Sequence, residues 1–438
     1  MSKSTHLTPL SQHLPTSNLE NSADFIASDS QRFALPFVSA STRFAGGKRG
    51  RKPSLDKYAE LGSLFGPSTS GGEKSNVDSE FPKTLSASAI ARTRDKFRLQ
   101  DEARHLLGAR SRVHSCLRAR VDDSVSVLYS SKFQKAFYGG LVTCGSAYLC
   151  PVCALKIAAR RQEELQNALA GSELTSIFVT YTIPHRKGQP LDKLFSDLRT
   201  AHTKSLKGRF REVLASEYGI IGRVVSVDIV YGDNGWHPHL HVLFLSALTP
   251  EQIDLAKFKD DLFTRYSRWL ARLGGYDASE KAFMVKLSYD QLGVAEYLLA
   301  DYSNYGISAE ITQGQLKKSR KGNSLTPFGL LNKASRGCQK SADLFLEYAK
   351  AMKRKSVLRW SRGLRDALGL QQLTDEEIAK LNLEESFLLN HLTDREWDYV
   401  VANKLRADVQ IAATRSQGDV VQFCAYLVSA GIRAREDF

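Results

Sequence analysis

The stretch GWHPHLHVLFL, Gly235–Leu245, sets His237, His239 and His241 at alternate positions and then runs into an apolar tail. Successive side chains of a β-strand point to opposite faces, so a strand here aligns three imidazoles on one face. The preceding segment IIGRVVSVDIVYG (220–232) is rich in β-branched residues, and GDNG (232–235) has turn composition. A hairpin centred on Asp233 and Asn234 puts Val230 opposite His237 and Asp228 opposite His239. Directly opposed residues share a face, so a carboxylate joins the histidine row. Imidazole and carboxylate together suit Mn²⁺, Mg²⁺ with its waters, Zn²⁺ or Fe²⁺. His239, His241, His237 and Asp228 are therefore the candidate metal ligands.

Outward from the hairpin the pattern alternates. SIFVTYTIP (176–184) reads as a strand, 191–219 as an amphipathic helix, 250–274 as a second helix with Pro250 near its start, 281–288 as a strand, and 289–305 as a helix capped by Asp290. The order βαββαβ plus a helix predicts an α+β fold, the ferredoxin-like split βαβ antiparallel sheet. Its first and third strands are central neighbours, which places the histidines beside Thr180 and Thr182.

The chain has 438 residues and a formal net charge of +14, which favours a polyanionic partner over a small neutral substrate. No apolar run is long enough to span a membrane, the opening MSKSTHLTPL lacks the apolar core of a secretory signal, and six cysteines are too few for a disulfide scaffold; a cytoplasmic protein with reduced thiols is expected. Residues 1–95 are rich in Ser, Thr, Gly and Pro and read as a disordered tail. Within it GGKRGRKPS (46–54) resembles an AT-hook, with Arg49 and Arg51 suited to a narrow minor groove; a plain basic patch is the alternative. Residues 100–170 read as a Cys-rich, zinc-binding segment and helix, 171–340 as the catalytic domain, and 341–438 as a helical C-terminal region.

Cys144, Cys150 and Cys153 form C-x5-C-x-x-C, and a C-x-x-C pair chelates a tetrahedral ion readily. Cys116 is the first choice of fourth ligand and His114 the second, giving a structural Zn²⁺ site. Arg112, Arg118, Arg120, Arg160 and Arg161 nearby are candidate phosphate contacts, as are Lys317, Lys318, Arg320 and Lys321 in a basic loop.

GWHPHLHVL resembles the HUH motif of rolling-circle replication initiators, and IFVTYTIPH resembles the strand motif that precedes it in that family. The resemblance continues through CGSAYLCPVCALKIAARR, AEYLLADYSNYG, AEITQGQLKKSRKGNSLTPFGLL and LRWSRGLRDALGL, over residues 110–370, to plasmid replication proteins of the Rep class. It implies that His239 and His241 bind a divalent metal, Mn²⁺ or Mg²⁺, with Asp228, His237 or His185 as third ligand. It implies a tyrosine nucleophile on the following helix, Tyr297 or Tyr302, in a pattern whose usual lysine is replaced here by Ala300 or Asp301. On one straight helix the two tyrosines point about 140° apart, so only one faces the metal. Implied further are nicking at a plasmid origin, a 5′-phosphotyrosine, a free 3′-OH primer, later rejoining, single- and double-stranded origin DNA as partner, and host polymerase and helicase as collaborators. A conjugative relaxase or transposase of the same chemistry, or a non-catalytic zinc-containing DNA-binding protein, are the alternatives.

Overall fold

The computed structural model describes residues 85–170, 172–288, 324–381 and 385–432, all within the compact unit Glu60–Phe438. The AT-hook-like patch with Arg49 and Arg51, the tyrosine helix with Tyr297 and Tyr302, and the basic loop with Lys317, Lys318, Arg320 and Lys321 lie outside the described residues. Among the described residues no helix is long and apolar enough to cross a membrane.

The fold is α+β with antiparallel sheets. Helix α1 (Ala87–Leu107) starts inside the stretch read as a tail, where the Ser86 side chain accepts a hydrogen bond from the Ala89 N–H. Strands β1 (Val125–Ser130) and β2 (Lys135–Gly139) form a hairpin, and α2 (Pro151–Ala170) begins on Pro151, whose missing N–H costs nothing at a helix start. Then come β3 (Thr175–Thr182), α3 (Leu191–Ser205), α4 (Phe210–Ser216), β4 (Ile220–Gly232), β5 (Gly235–Ser246), α5 (Leu255–Gly274) and β6 (Met284–Ser288). The helix expected over 191–219 is two helices, broken where Gly208 takes a left-handed φ of 68°. The helix expected from 250 starts at Leu255 instead, because the Asp254 carboxylate caps the Lys257 N–H; Pro250–Gln252 is a separate 3₁₀ turn.

The large sheet runs β6-β3-β5-β4-β7, with β7 at Leu358–Trp360, and all neighbours are antiparallel. The first and third strands of 175–288 are thus the central pair, Thr180 facing His241 and Thr182 facing His239. The hairpin register is the one counted from the turn: Gly232 faces Gly235, Val230 faces His237 and Asp228 faces His239. Gly235 has φ 87°, and a Cβ there would stand 3.0 Å from the Lys187 Cα, so the turn and the close backbone approach both need glycine. Pro238 is tolerated because β3 pairs no further than His239, leaving no ladder bond on that side for Pro238 to donate.

One face of the sheet is covered by helices. Tyr181, opposite Leu240, packs edge-on against Tyr266 of α5 and His202 of α3, with ring centroids 5.0 and 4.8 Å away. The histidines occupy the other face. The region 341–438, expected to be helical, supplies strands to both sheets: β7 joins the large one, and β8 (Ser386–Leu392) pairs with β1 to complete a second sheet, β2-β1-β8. A second apolar core forms there, with Trp397, Leu389 and Phe423 packed against Val125, Val127 and Tyr138.

Candidate functional site

Two donor clusters stand out. The first lies on the open face of the large sheet. Asp228 from β4 and His239 and His241 from β5 bring one ligand atom each to within 4.8 Å of one another, and the His239 Nε2 lies 2.6 Å from the Asp228 Oδ2. Asp228 and His241 are buried. The His241 Nδ1 lies 3.3 Å from the Thr180 hydroxyl, and its ring stacks on Phe178 at 5.3 Å, so that ring is held from both sides. Burial lowers the His241 pKa to about 4, helped by the His239 charge and opposed by Asp228. Burial lowers His237 likewise to about 4, with His239 and His185 adding to it and Asp228 opposing. His237 and His241 are therefore neutral at physiological pH, the form in which imidazole ligates metals. Two imidazoles and one carboxylate, packed this tightly, fit a divalent ion and leave coordination positions open.

His237 is outside that group of ligand atoms, although its ring centroid lies 5.3 Å from that of His239. Its ring stacks on His185 at 4.6 Å and 18°, beyond the end of the β3 pairing. Of the three candidates for third ligand, Asp228 is the one grouped with His239 and His241. A cleft of about 960 Å³ opens over His239 and His241, lined among others by Thr182, His185, His237, Lys281 and Met284.

The second cluster is Cys116, Cys144, Cys150 and Cys153, all buried and none disulfide-bonded. Sγ–Sγ separations are 3.6 Å for Cys116–Cys153 and Cys144–Cys153 and 3.8 Å for Cys116–Cys150. Thiolates at about 2.3 Å from a tetrahedral ion stand about 3.8 Å apart, so the spacing is that of a closed four-sulfur site. The Cys144 N–H points at the Cys116 sulfur (3.4 Å) and the Ser146 N–H at the Cys144 sulfur (3.5 Å). His114 is not a ligand here; its ring nitrogen lies 3.3 Å from Arg104.

Around the sulfurs sits a network that sequence reading missed. The Gln100 side-chain amide donates to the Cys116 carbonyl (3.2 Å) and the Cys150 sulfur (3.5 Å), and the buried Arg406 guanidinium donates to the Gln100 carbonyl oxygen at 2.7 Å. Arg406 and Arg118 both bind Asp101. No local pattern signals a partner about three hundred positions away.

The arginines of this segment are mostly internal partners. Arg161, expected at a phosphate, is 4 % exposed and binds Asp375, Glu164 and the Leu373 carbonyl. Arg112 binds Glu376 and the Cys144 carbonyl, and Arg120 binds Asp394 and Asp398. Arg160 is at the surface, paired with Glu163 at 2.6 Å.

No family model matches the chain. No solved structure matches it. Among curated proteins it is similar to "Protein rep" of Streptomyces lividans, 24% identical over 297 residues, or 53% of this chain and 64% of that protein. It is also similar to the "Neomycin resistance protein" of Streptomyces cyanogenus, 26% identical over 134 residues, or 24% of this chain and 31% of that protein. The chain thus spans less than two thirds of the length of either relative.

Proposed function

We propose that the chain is a replication initiator that nicks one DNA strand at a plasmid origin, in the manner of the HUH endonucleases. The observation that carries the reading is the Asp228–His239–His241 group on the two adjacent strands of a β-hairpin, inside a βαββαβ sheet whose first and third strands are central. The similarity to Protein rep supports a replication-related role, and the net charge of +14 suits a polyanionic partner.

Asp228, His239 and His241 would hold Mn²⁺ or Mg²⁺, and the cysteine cluster would hold a structural Zn²⁺. When bound, the divalent ion neutralises charge on the scissile phosphate and orients it. Thr180 fixes the rotation of the His241 ring. The His185–His237 stack forms one wall of the cleft, against which a base or sugar packs. The nucleophile is the phenol of Tyr297 or Tyr302. Its oxygen bonds to phosphorus, the bond from phosphorus to the 3′-oxygen breaks, and the phenolic proton is relayed to the departing 3′-oxygen; a 5′-phosphotyrosine and a 3′-OH result. The phosphoester stays intact as an ester, so rejoining needs no ATP.

The test uses the full chain, Mn²⁺ and end-labelled single-stranded oligonucleotides tiling the origin of the plasmid that encodes it. A protein–DNA adduct on a denaturing gel, absent with Tyr297→Phe or with Tyr302→Phe and absent with His239→Ala, is the expected result. Tight origin binding with no adduct under any metal overturns nicking in favour of a non-catalytic DNA-binding protein.

A further inference from the structure

On the helix-covered face of the large sheet, away from the histidines, lies a group of cations with no acidic partner among the described residues. Arg223 sits on β4 and Arg359 on β7; Val225 faces Arg359, the Ser361 N–H donates to the Arg223 carbonyl at 2.9 Å, and the Arg223 N–H donates to the Ser361 hydroxyl at 3.0 Å. The two arginines are therefore diagonal neighbours on one face of the sheet edge. Tyr181 lies on that same face, and α3 lays His202 against its ring at 4.8 Å. Arg199, three residues before His202, belongs to the same side of α3. Lys355 precedes β7.

All four cations are half-buried, and among the described residues none forms an ion pair. They act on one another: burial lowers Arg359, with Arg199 and Arg223 adding to it, and burial lowers Lys355, with Arg199 and Arg359 adding. Arg161, Arg118 and Arg406, by contrast, each meet a carboxylate. A second observation points the same way. His202 is 2 % exposed and neither ring nitrogen has a hydrogen-bond partner; the buried Tyr181 hydroxyl has none either. Burial lowers the His202 pKa, and Arg223, Arg359 and Arg199 lower it further, so the orphaned ring lies among these cations. Half-buried like charges and orphaned polar atoms are each costly without a counter-ion.

We infer that Arg199, Arg223, Arg359 and Lys355 form a second DNA contact, a seat for backbone phosphates at the β4–β7 edge, separate from the histidine cleft. Planar guanidiniums suit phosphate oxygens, and a phosphodiester strand supplies several oxyanions in a row. The seat carries no sequence information and fixes how the duplex lies beside the cleft. It does not depend on the nicking reading, since phosphate binding here involves neither the tyrosine nor the Asp–His–His group.

The experiment measures binding of the full chain to a labelled 30-base-pair duplex of arbitrary sequence across a salt series. For the triple variant Arg199→Gln/Arg223→Gln/Arg359→Gln, affinity falls about tenfold or more at moderate salt, and the slope of log K against log salt drops by about 2 to 3. Adduct formation on a short saturating oligonucleotide stays within twofold of wild type. An unchanged slope overturns the proposal. If inorganic phosphate protects wild type but not the variant against heat while duplex affinity is unchanged, the occupant is a small phosphate and the DNA seat is likewise overturned. Should the triple variant fold poorly, phenylglyoxal modification of wild type decides: duplex DNA protects these three arginines in the supported case and leaves them reactive in the other. A chain that forms no adduct yet loses the salt slope keeps this seat and loses the nicking reading.

Discussion

The two donor clusters of this chain use opposite designs. The cysteine site is sealed: four sulfurs, all buried, close a tetrahedron and leave no position for a substrate. The histidine site offers three candidate ligands, two of which, His239 and His241, line a wide cleft, with coordination positions left over. The first arrangement can only hold parts together, and what it holds is informative: α1, α2 and, through Gln100 and Arg406, the C-terminal residues. The second can admit an outside oxygen. On the proposed reading, one chain separates metal as a staple from metal as a reagent, and the contrast is measurable.

The largest effect belongs to the sealed site. Cys153→Ser is expected to lose its bound ion and more than about 5 kcal/mol of stability, comparable to the whole stability of an ordinary domain, read by thermal melting and metal content together. A variant that loses the ion yet melts within a few degrees of wild type would break the comparison outright. Next comes Arg161→Gln, which strands the buried Asp375 and costs about 3–5 kcal/mol in a denaturant melt.

The open site reports through pH. Burial holds His237 and His241 at about 4, against about 6.5 for an unfolded histidine. Their folded pKa values are depressed, so the stability they contribute is complete above about 6.5 and is lost as pH falls toward 4. Acid titration of the metal-free protein should show a decline on the order of a few kcal/mol over that window, and His237→Gln should remove about half of it. An unaltered profile in the variant would mean the ring is more hydrated than its stack on His185 implies. Thr180→Val removes the hydroxyl beside the His241 Nδ1 and should weaken Mn²⁺ binding about 10–100-fold while leaving the melt nearly unmoved. Smallest of all is Arg160→Gln, a surface pair with Glu163, worth less than about 0.5 kcal/mol in the same melt that registers its neighbour strongly.

What could be read from the chain beforehand was whatever local chemistry specifies. The Asp233–Asn234 turn and the alternation after it gave the hairpin register, and with it the pairing of Asp228 with His239. Cys116 could be chosen as fourth sulfur because it is the nearest cysteine before the C-x5-C-x-x-C run. Long-range pairing was opaque: nothing in SFLLNHL says that its partner is β1. Charge was misleading for a physical reason. A sequence shows that Arg161 is cationic, but only the fold brings Asp375 to it and turns a would-be phosphate contact into an internal ion pair.

The pairing of β8 with β1 has a consequence in time. Ribosomes add about 5–20 residues per second, so the roughly 250 residues between those strands take about 12–50 s to appear. For that interval β1 and β2 are a two-stranded hairpin, a unit that is marginal alone, with one edge open to foreign strands. Cys116 precedes β1, and Cys144, Cys150 and Cys153 emerge early in the same wait. An ion captured by them at that stage would fix the segment beside its hairpin before the last strand arrives, so metal supply during synthesis would set how much chain reaches the finished fold.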